Sequence, residues 1–567
     1  MIRLLLDFFI YLARHMIVAF ALTFTLWVLL VRYKQIQNAF GTISPTTRRR
    51  GVVGLCMGVI LVFAGIGAWY LVQDGFAGEV EPVISSLSWL VQSGEPLYHD
   101  VESAQRYSVL YGPSVFLTNG LFLKVLGPSL FSAKLASILG VLGCLVFLYA
   151  ALARSGRDWV ALAVTSLAAL YFWSQGFAVY LVRPDALLVF AIGLTLFSVA
   201  KGRKAIALVT LAVMFGFAVN LKVHAALYFL PILPLAARRF GWRSLFPTML
   251  GAGGVIAAPF VFHPQVSIVN YVAWLRNAVG HGLVADSVAV TLQYTAYLLL
   301  PVAVLLLVSP VRASQLKQHA AVLLGLVASL ALTLVLAAKP GAGLVHLLPL
   351  VPSTMYIAGM LLQEILEVRN WSPISPVPGL RQCAVAAVVM TALLTGSVNA
   401  YRAVRLVDWQ ISQAPDLASD VQGIIEQFPD LSIGMACGGE NASFRHTWLR
   451  PLLVFADNPL LVEPVSVMDC RLTGLKMPPE TYRALEKGIV NLWLVPRGQR
   501  PFDKENWYAP HDPVFSNRFR QHFESLYSRA GHSRYFDLWV WDGLDVRAPQ
   551  GPMVTEAGLG RMGFMVP

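Results

Sequence analysis

Residues 74–127 read DGFAGEVEPVISSLSWLVQSGEPLYHDVESAQRYSVLYGPSVFLTNGLFLKVLG. The stretch carries Asp74, Glu79, Glu81, Glu95, Asp100 and Glu102, yet it lies between two apolar runs. It is too polar to cross a bilayer, where charged side chains are expensive. It is also too apolar to be a free loop. Within it, VISSLSWLVQSG and VFLTNGLFLKVLG have the spacing of short amphipathic helices, which predicts that they lie flat at a membrane surface. An acidic segment held against a membrane is a place where a water-soluble partner meets a lipid.

The composition around this stretch is that of a chain solvated by lipid. Of 567 residues, 56% are hydrophobic and 13% are charged, against roughly 25% charged in soluble chains. Five cysteines in this length exclude a disulfide scaffold. Cys56, Cys144 and Cys383 fall in apolar runs and read as packing residues. Cys437 and Cys470 fall in the polar C-terminal part, where an extracytoplasmic location would let them pair. The net charge of +12 does not point to nucleic acid, because the basic residues of the apolar part sit in short loops.

Working outward, apolar runs at 12–32 and 51–73 precede the acidic stretch. Others follow at 129–152, 158–175, 178–200, 205–220, 222–237, 244–262, 289–309, 319–338, 343–363 and 380–400. Each is about long enough for a ~30 Å hydrocarbon core, the shortest with help from their flanks. The expectation is a polytopic α-helical membrane protein of about twelve spans. Arg154 and Arg157, then Lys201, Arg203 and Lys204, then Arg238, Arg239 and Arg243, then Arg312 and Lys317 fall in alternate connections. That alternation places them on the cytoplasmic side. The acidic stretch, a second loop at 263–288 and everything after 401 then face the exterior or periplasm.

After 401 the pattern changes. LSIGMAC, PLLVE, VNLWLVP and YFDLWVWDG read as short buried strands, and APDLASDVQGIIEQFP and SNRFRQHFESLYSRAG as amphipathic helices. This predicts an extracytoplasmic α/β domain over 401–567. No glycine-rich phosphate fingerprint opens any of its helices. The expected division is 1–50 as an added first helix with a basic loop, 51–400 as the membrane part with its first outer loop at 74–128, and 401–567 as the soluble domain.

Several charged residues at membrane depth are not required by this topology. Arg183 and Asp185 open the fifth span, and Lys222 and His224 lie between the sixth and seventh. Lys339 and His346 lie between the tenth and eleventh, and His263, Arg276 and His281 lie in the second outer loop. All fall on the side that should be poor in cations. Each has a plainer reading: Arg183 and Asp185 as an internal pair, Lys222 as a snorkelling lysine, His346 as a packing histidine. Together they suit an anionic lipid headgroup, since a phosphate takes charge-assisted donors from Arg, Lys or protonated His.

The order of motifs resembles a known group. Glu79 and Glu81 are followed by Gly94, EPLYHD, LYGPSVFLTNGLFLKVLG, GPSLFSAKLASIL, RPDALLVFAIGL and HLLPLVP. Over roughly 51–400 this resembles the GT-C superfamily of integral membrane glycosyltransferases, nearest the branch of protein O-mannosyltransferases and lipid A aminoarabinose transferases. The resemblance implies transfer of a sugar from a polyprenyl-phosphate carrier to a lipid, glycan or protein acceptor at the outer face. It implies an acidic residue of the first outer loop as base. Counted back from Gly94, Glu79 stands where relatives carry the first Asp of an Asp-Glu pair, while Glu81 is two residues on, so the choice between them stays open. Lys134 stands where relatives often carry Arg, and the run at 12–32 is an addition to the family's plan.

The expected catalytic residues are Glu79, Glu81 and Asp185, the last to orient the acceptor or hold Arg183. Expected substrate contacts are Arg183, Lys222, His224, Lys339 and His346, with Tyr98 and Tyr111. Attack opposite the phosphate inverts the anomeric centre. No Asp-x-Asp motif occurs in the acidic loop, so no metal or other cofactor is expected. A polymerase or ligase of lipid-linked polysaccharide shares the side and the chemistry. A transporter would show repeated halves, which are absent from the sequence. A non-catalytic scaffold is the plainest alternative.

Overall fold

A computed structural model of the chain describes residues 2–32, 44–279, 283–308, 313–339, 341–368, 380–509 and 511–544. His281 and Arg312 lie outside the described residues. The first part is helical: α1 Ile2–Arg14, α2 Met16–Arg32, α3 Pro45–Leu71, α4 Val80–Gln92, α5 Pro113–Leu126, α6 Leu130–Leu152, α7 Asp158–Ser174, α8 Pro184–Lys201 and α9 Lys204–Val219. Next come α10 Ile232–Phe240, α11 Leu245–Phe262, α12 Ile268–Val279, α13 Ala285–Val308, α14 Ala313–Ala337, α15 Val351–Val368 and α16 Leu380–Ile411. Among the described residues, eight helices are long and apolar enough to cross a membrane, or nine if the bent pair α1 and α2 is one span. Three more apolar helices, α5, α7 and α9, are shorter than a full span. The chain is an integral multi-pass membrane protein.

Two expected spans differ. The run at 12–32 is joined to a preceding helix, and α1 meets α2 at 113°. The helix direction changes at His15, and the Arg14 carbonyl is taken by the Gln293 side chain at 2.5 Å. The run at 222–237 is not one helix: a 3₁₀ segment, Val223–Phe229, precedes α10. Lys222 is extended at its start and Pro231 separates the pieces, which interrupts the ladder of an α-helix. A similar 3₁₀ segment, Gly343–Leu350, leads into α15.

Local sequence sets the helix ends. The Ser129 hydroxyl accepts the Ser132 N–H at 3.2 Å and caps α6. Pro184 begins α8 at a position where its missing N–H costs nothing. Gly94, at φ +99°, ends α4 with a left-handed residue, and the Glu95 N–H returns to the Leu90 carbonyl at 2.9 Å. α6 and α8 pack closely: a Cβ at Gly140 would stand 2.9 Å from the Ala186 carbonyl oxygen, so a small residue is needed there.

The C-terminal part adds α17 Ala414–Gln427, β1 Ile433–Met435, α18 Asn441–Phe444, α19 Arg450–Phe455, α20 Pro464–Leu472, α21 Pro479–Glu486, β2 Leu492–Pro496, α22 Asn517–Glu524, β3 Tyr527–His532 and β4 Phe536–Trp541. The sheet order is β1-β2-β4-β3, with β1 parallel to β2 and the other pairs antiparallel. The segment PLLVE is not in this sheet. Val462 instead makes a parallel bridge to Arg106 of the acidic stretch. The segment after SNRFRQHFE turns from helix into β3, where the residue pattern predicts that the helix continues. All five cysteines are buried and free, so Cys437 and Cys470 do not pair.

The acidic stretch is fastened on two sides. The Arg106 N–H donates to the Leu461 carbonyl at 2.7 Å and the Glu463 N–H to the Arg106 carbonyl at 2.8 Å. Ser466 Oγ donates to the Ser108 carbonyl at 2.7 Å, and Thr481 Oγ1 to the Ala104 carbonyl at 2.7 Å. From α12, Asn270 and Trp274 donate to the carbonyls of Tyr98 and His99, each at 2.9 Å. His99 knots the stretch internally. Its Nε2 accepts the N–H groups of Tyr107 and Ser108 at 3.1 and 3.2 Å, leaving Nδ1 as the donor to the Asp100 carbonyl at 2.9 Å. Burial lowers the His99 pKa to about 4, which keeps it in this neutral form.

Candidate functional site

The two carboxylates of the segment 79–81 have different surroundings. Glu81 is fully buried. The Tyr70 hydroxyl bonds to both of its oxygens, at 2.6 Å to Oε2 and more closely to Oε1. The backbone N–H groups of Ala77 and Val182 each stand 3.4 Å away. Burial pushes the Glu81 carboxyl up to about 7, against the Tyr70 hydrogen bond and the Lys134 charge, which pull it down. Lys134 is itself committed: its Nζ donates to the Gln73 and Tyr70 carbonyls at 2.6 and 3.2 Å and lies 4.5 Å from the Tyr70 ring centre. Glu81, Tyr70 and Lys134 thus close the end of α3 onto the start of α4.

Glu79 precedes α4, is half-buried, and makes no capping hydrogen bond. Its charge reaches Arg183, Arg450 and Tyr508. Of the two, only Glu79 is open to an incoming molecule.

Asp185 sits in the first turn of α8 and is fully buried. It takes Lys222 Nζ at 2.7 Å and has Arg183 Nε at 3.4 Å. A buried carboxylate between two cations holds them in place. For Arg183, which precedes α8, burial works against the charge. Tyr111, Asp185 and Glu79 outweigh it, so its proton is held more tightly than usual.

The two 3₁₀ segments bring His224 and His346 together, ring centres 4.8 Å apart. His346 Nδ1, His224 Nε2 and the Tyr228 hydroxyl are buried and have no hydrogen-bond partner among the described residues. Lys339 lies within electrostatic reach of His224. The Tyr111 ring centre is 5.7 Å from Lys222 Nζ. Tyr98 is buried, and its hydroxyl donates to the Tyr111 carbonyl at 2.7 Å, so it braces the neighbouring backbone.

The structure therefore groups Glu79, Arg183, Asp185, Lys222, His224, His346, Lys339 and Tyr111, and encloses Glu81 and Tyr98 in hydrogen bonds to Tyr70 and to the Tyr111 carbonyl. His263 caps the end of α11 and Arg276 lies in the last turn of α12, outside this group. Sequence reasoning missed the C-terminal contributions. Arg450 and Glu463 form a buried pair at 2.5 Å, and Arg450 feels the Glu79 charge. Tyr508 and Asp469 also reach the group. The one signal for Arg450 was a lone charge in the run TWLRPLLVF. Among the described residues, no three His, Cys, Asp or Glu side chains come together as a metal-binding set. Two small concavities lie elsewhere in the C-terminal part, one beside Arg106 and Cys470, the other beside Ile433 and Trp493.

No family model matches the chain, and no curated protein matches it. Among solved structures it is similar to ArnT from Cupriavidus metallidurans in the apo state, at 14% identity over 79% of this chain and 93% of that chain, TM-score 0.46. The same protein bound to undecaprenyl phosphate gives 15% identity, the same coverage and TM-score 0.45. The Archaeoglobus fulgidus oligosaccharyltransferase in the apo form gives 10% identity over 87% of this chain and 75% of that chain, TM-score 0.42.

Proposed function

We propose that this chain is a membrane glycosyltransferase that moves a sugar from a polyprenyl-phosphate carrier to an acceptor at the outer face. The observation that carries this reading is the convergence of Arg183, Lys222, His224 and His346, from three separated parts of the chain, on one buried group facing Glu79. Their cations and unpartnered ring nitrogens suit a phosphate at membrane depth. The apolar helices give the carrier's prenyl chain a lipid-facing path. The basic connections on the opposite side orient the site outward.

In this reading the acceptor oxygen attacks the anomeric carbon. The bond from that carbon to the phosphate oxygen breaks, and its electron pair leaves with the phosphate. Arg183, held by Asp185, stabilises the departing charge together with the histidine pair and Lys222. The acceptor proton passes to the Glu79 carboxylate. Attack from the face opposite the phosphate inverts the centre.

The test is Glu79→Gln in a transfer assay with the full chain in lipid nanodiscs. A lost general base costs roughly 100-fold or more in rate, and binding of undecaprenyl phosphate should be retained. Full turnover in Glu79→Gln and in the Glu79→Gln/Glu81→Gln double variant would remove the base assignment. The phosphate is neutralised by side chains in this mechanism, so EDTA should leave the rate unchanged; loss of activity restored by added divalent metal would contradict it.

A further inference from the structure

The C-terminal part lies against the candidate site along one face of α20. Ser466 binds the backbone at Ser108, three residues before Tyr111. Thr473, two turns on, bonds the Asn277 side chain of α12. Asp469 lies between them at i+3 from Ser466, on the same face. A second segment packs against the turn that follows α14. The Tyr508 hydroxyl sits so close to Gly341 that a Cβ there would stand 2.5 Å from it. Trp507 lies beside it, with ring centres 6.0 Å apart.

These side chains lie within electrostatic reach of the group already described. Asp469 reaches both Tyr111 and Tyr508, and Tyr508 also reaches Glu79 and Arg183. The site therefore has two unlike walls. One is cationic, with Arg183, Lys222 and the histidine pair, including His346 at 9% exposure with Nδ1 unpartnered. The other is built from the carboxylates Glu79 and Asp469 and the rings Tyr111 and Tyr508. An anion at the second wall would face two carboxylates. A neutral, hydroxyl-rich group would find acceptors for its O–H bonds and aromatic faces for its C–H surface.

We propose that Asp469 and Tyr508 form the acceptor half of the site and select a neutral carbohydrate acceptor over a phosphorylated one. This rests on the transferase reading and adds the class of its second substrate. Burial pushes the Asp469 carboxyl up to about 7, so near neutrality it both accepts from and donates to a sugar hydroxyl. The two parts of the chain then divide the work: the membrane helices hold the donor phosphate, and the C-terminal part holds the group that receives the sugar.

The test uses the labelled full chain in nanodiscs on an array of neutral oligosaccharides and the same oligosaccharides phosphorylated. Undecaprenyl phosphate binding is measured in parallel by native mass spectrometry. Neutral glycans should bind in preference to phosphorylated ones. Asp469→Asn and Tyr508→Ala should each weaken that binding roughly tenfold, the loss of a hydrogen bond to a charged group or of a stacking face. Asp469→Glu should recover most of it, and all three variants should keep undecaprenyl phosphate, which shows that they fold. Preference for phosphorylated glycans, no binding of neutral ones, or unchanged binding in both variants overturns the assignment while leaving the donor site standing. A wild-type chain that does not hold undecaprenyl phosphate fails the transferase reading, and this inference with it.

Discussion

Glu81 is a carboxylate that its neighbours enclose. The Tyr70 hydroxyl occupies both of its oxygens, and Lys134 neutralises the site from the side. Its pKa of about 7 lies above the ordinary 4.5. Between those values the folded chain keeps a proton that the unfolded chain has lost. The stabilisation is therefore complete below about pH 4.5 and is lost as pH rises through 7. Relative to Glu81→Gln, the wild type should lose on the order of 2–3 kcal/mol over that window. Thermal unfolding of both in detergent at pH 5 and pH 8 measures this, and a gap that does not move with pH would contradict the burial. The sequence displayed both Glu79 and Glu81 but not which one is enclosed. The enclosing groups, Tyr70 and the Val182 N–H, come from a preceding helix and from a turn about a hundred residues on, and local patterning does not report such contacts.

At the scale of elements, the start of α8 and the 3₁₀ segment after Lys222 are joined by one buried carboxylate. Lys222→Met leaves Asp185 with Arg183 alone at 3.4 Å. Removing one partner of a buried pair costs roughly 3–5 kcal/mol. Adding Asp185→Asn removes the stranded charge, so the double variant should unfold at a higher temperature than Lys222→Met alone. Additive losses would show that the pair is not coupled. The long apolar helices were readable because their hydropathy is continuous, as in α3, α6 and α11. The segment 222–237 was misread because its apolar composition hides a break at Pro231. β3 was missed because YSRAGH is polar and exposed along most of its length. PLLVE was misplaced because periodicity reports an extended segment and not its hydrogen-bond partner.

For the whole molecule, the proposed orientation has a direct test. Single cysteines at Glu102 and Arg203 replace exposed residues that the proposal puts on opposite sides, and the five native cysteines are buried. An impermeant maleimide should label Glu102→Cys in intact cells and Arg203→Cys only after permeabilisation; the reverse would invert the site. The proposed side rests on the agreement of many basic loops. The joining of the two parts was not legible in the sequence, because the bonds that fasten 104–108 end on main-chain groups that carry no residue signature. That joining also sets a schedule for synthesis. Ser466 is 358 residues downstream of Ser108, which it fastens. At about 5–20 residues per second a ribosome needs roughly 20–70 s to cover that distance. The acidic stretch must wait that long for this support, so nascent chains that stop short of α20 should be the ones that quality-control proteases remove.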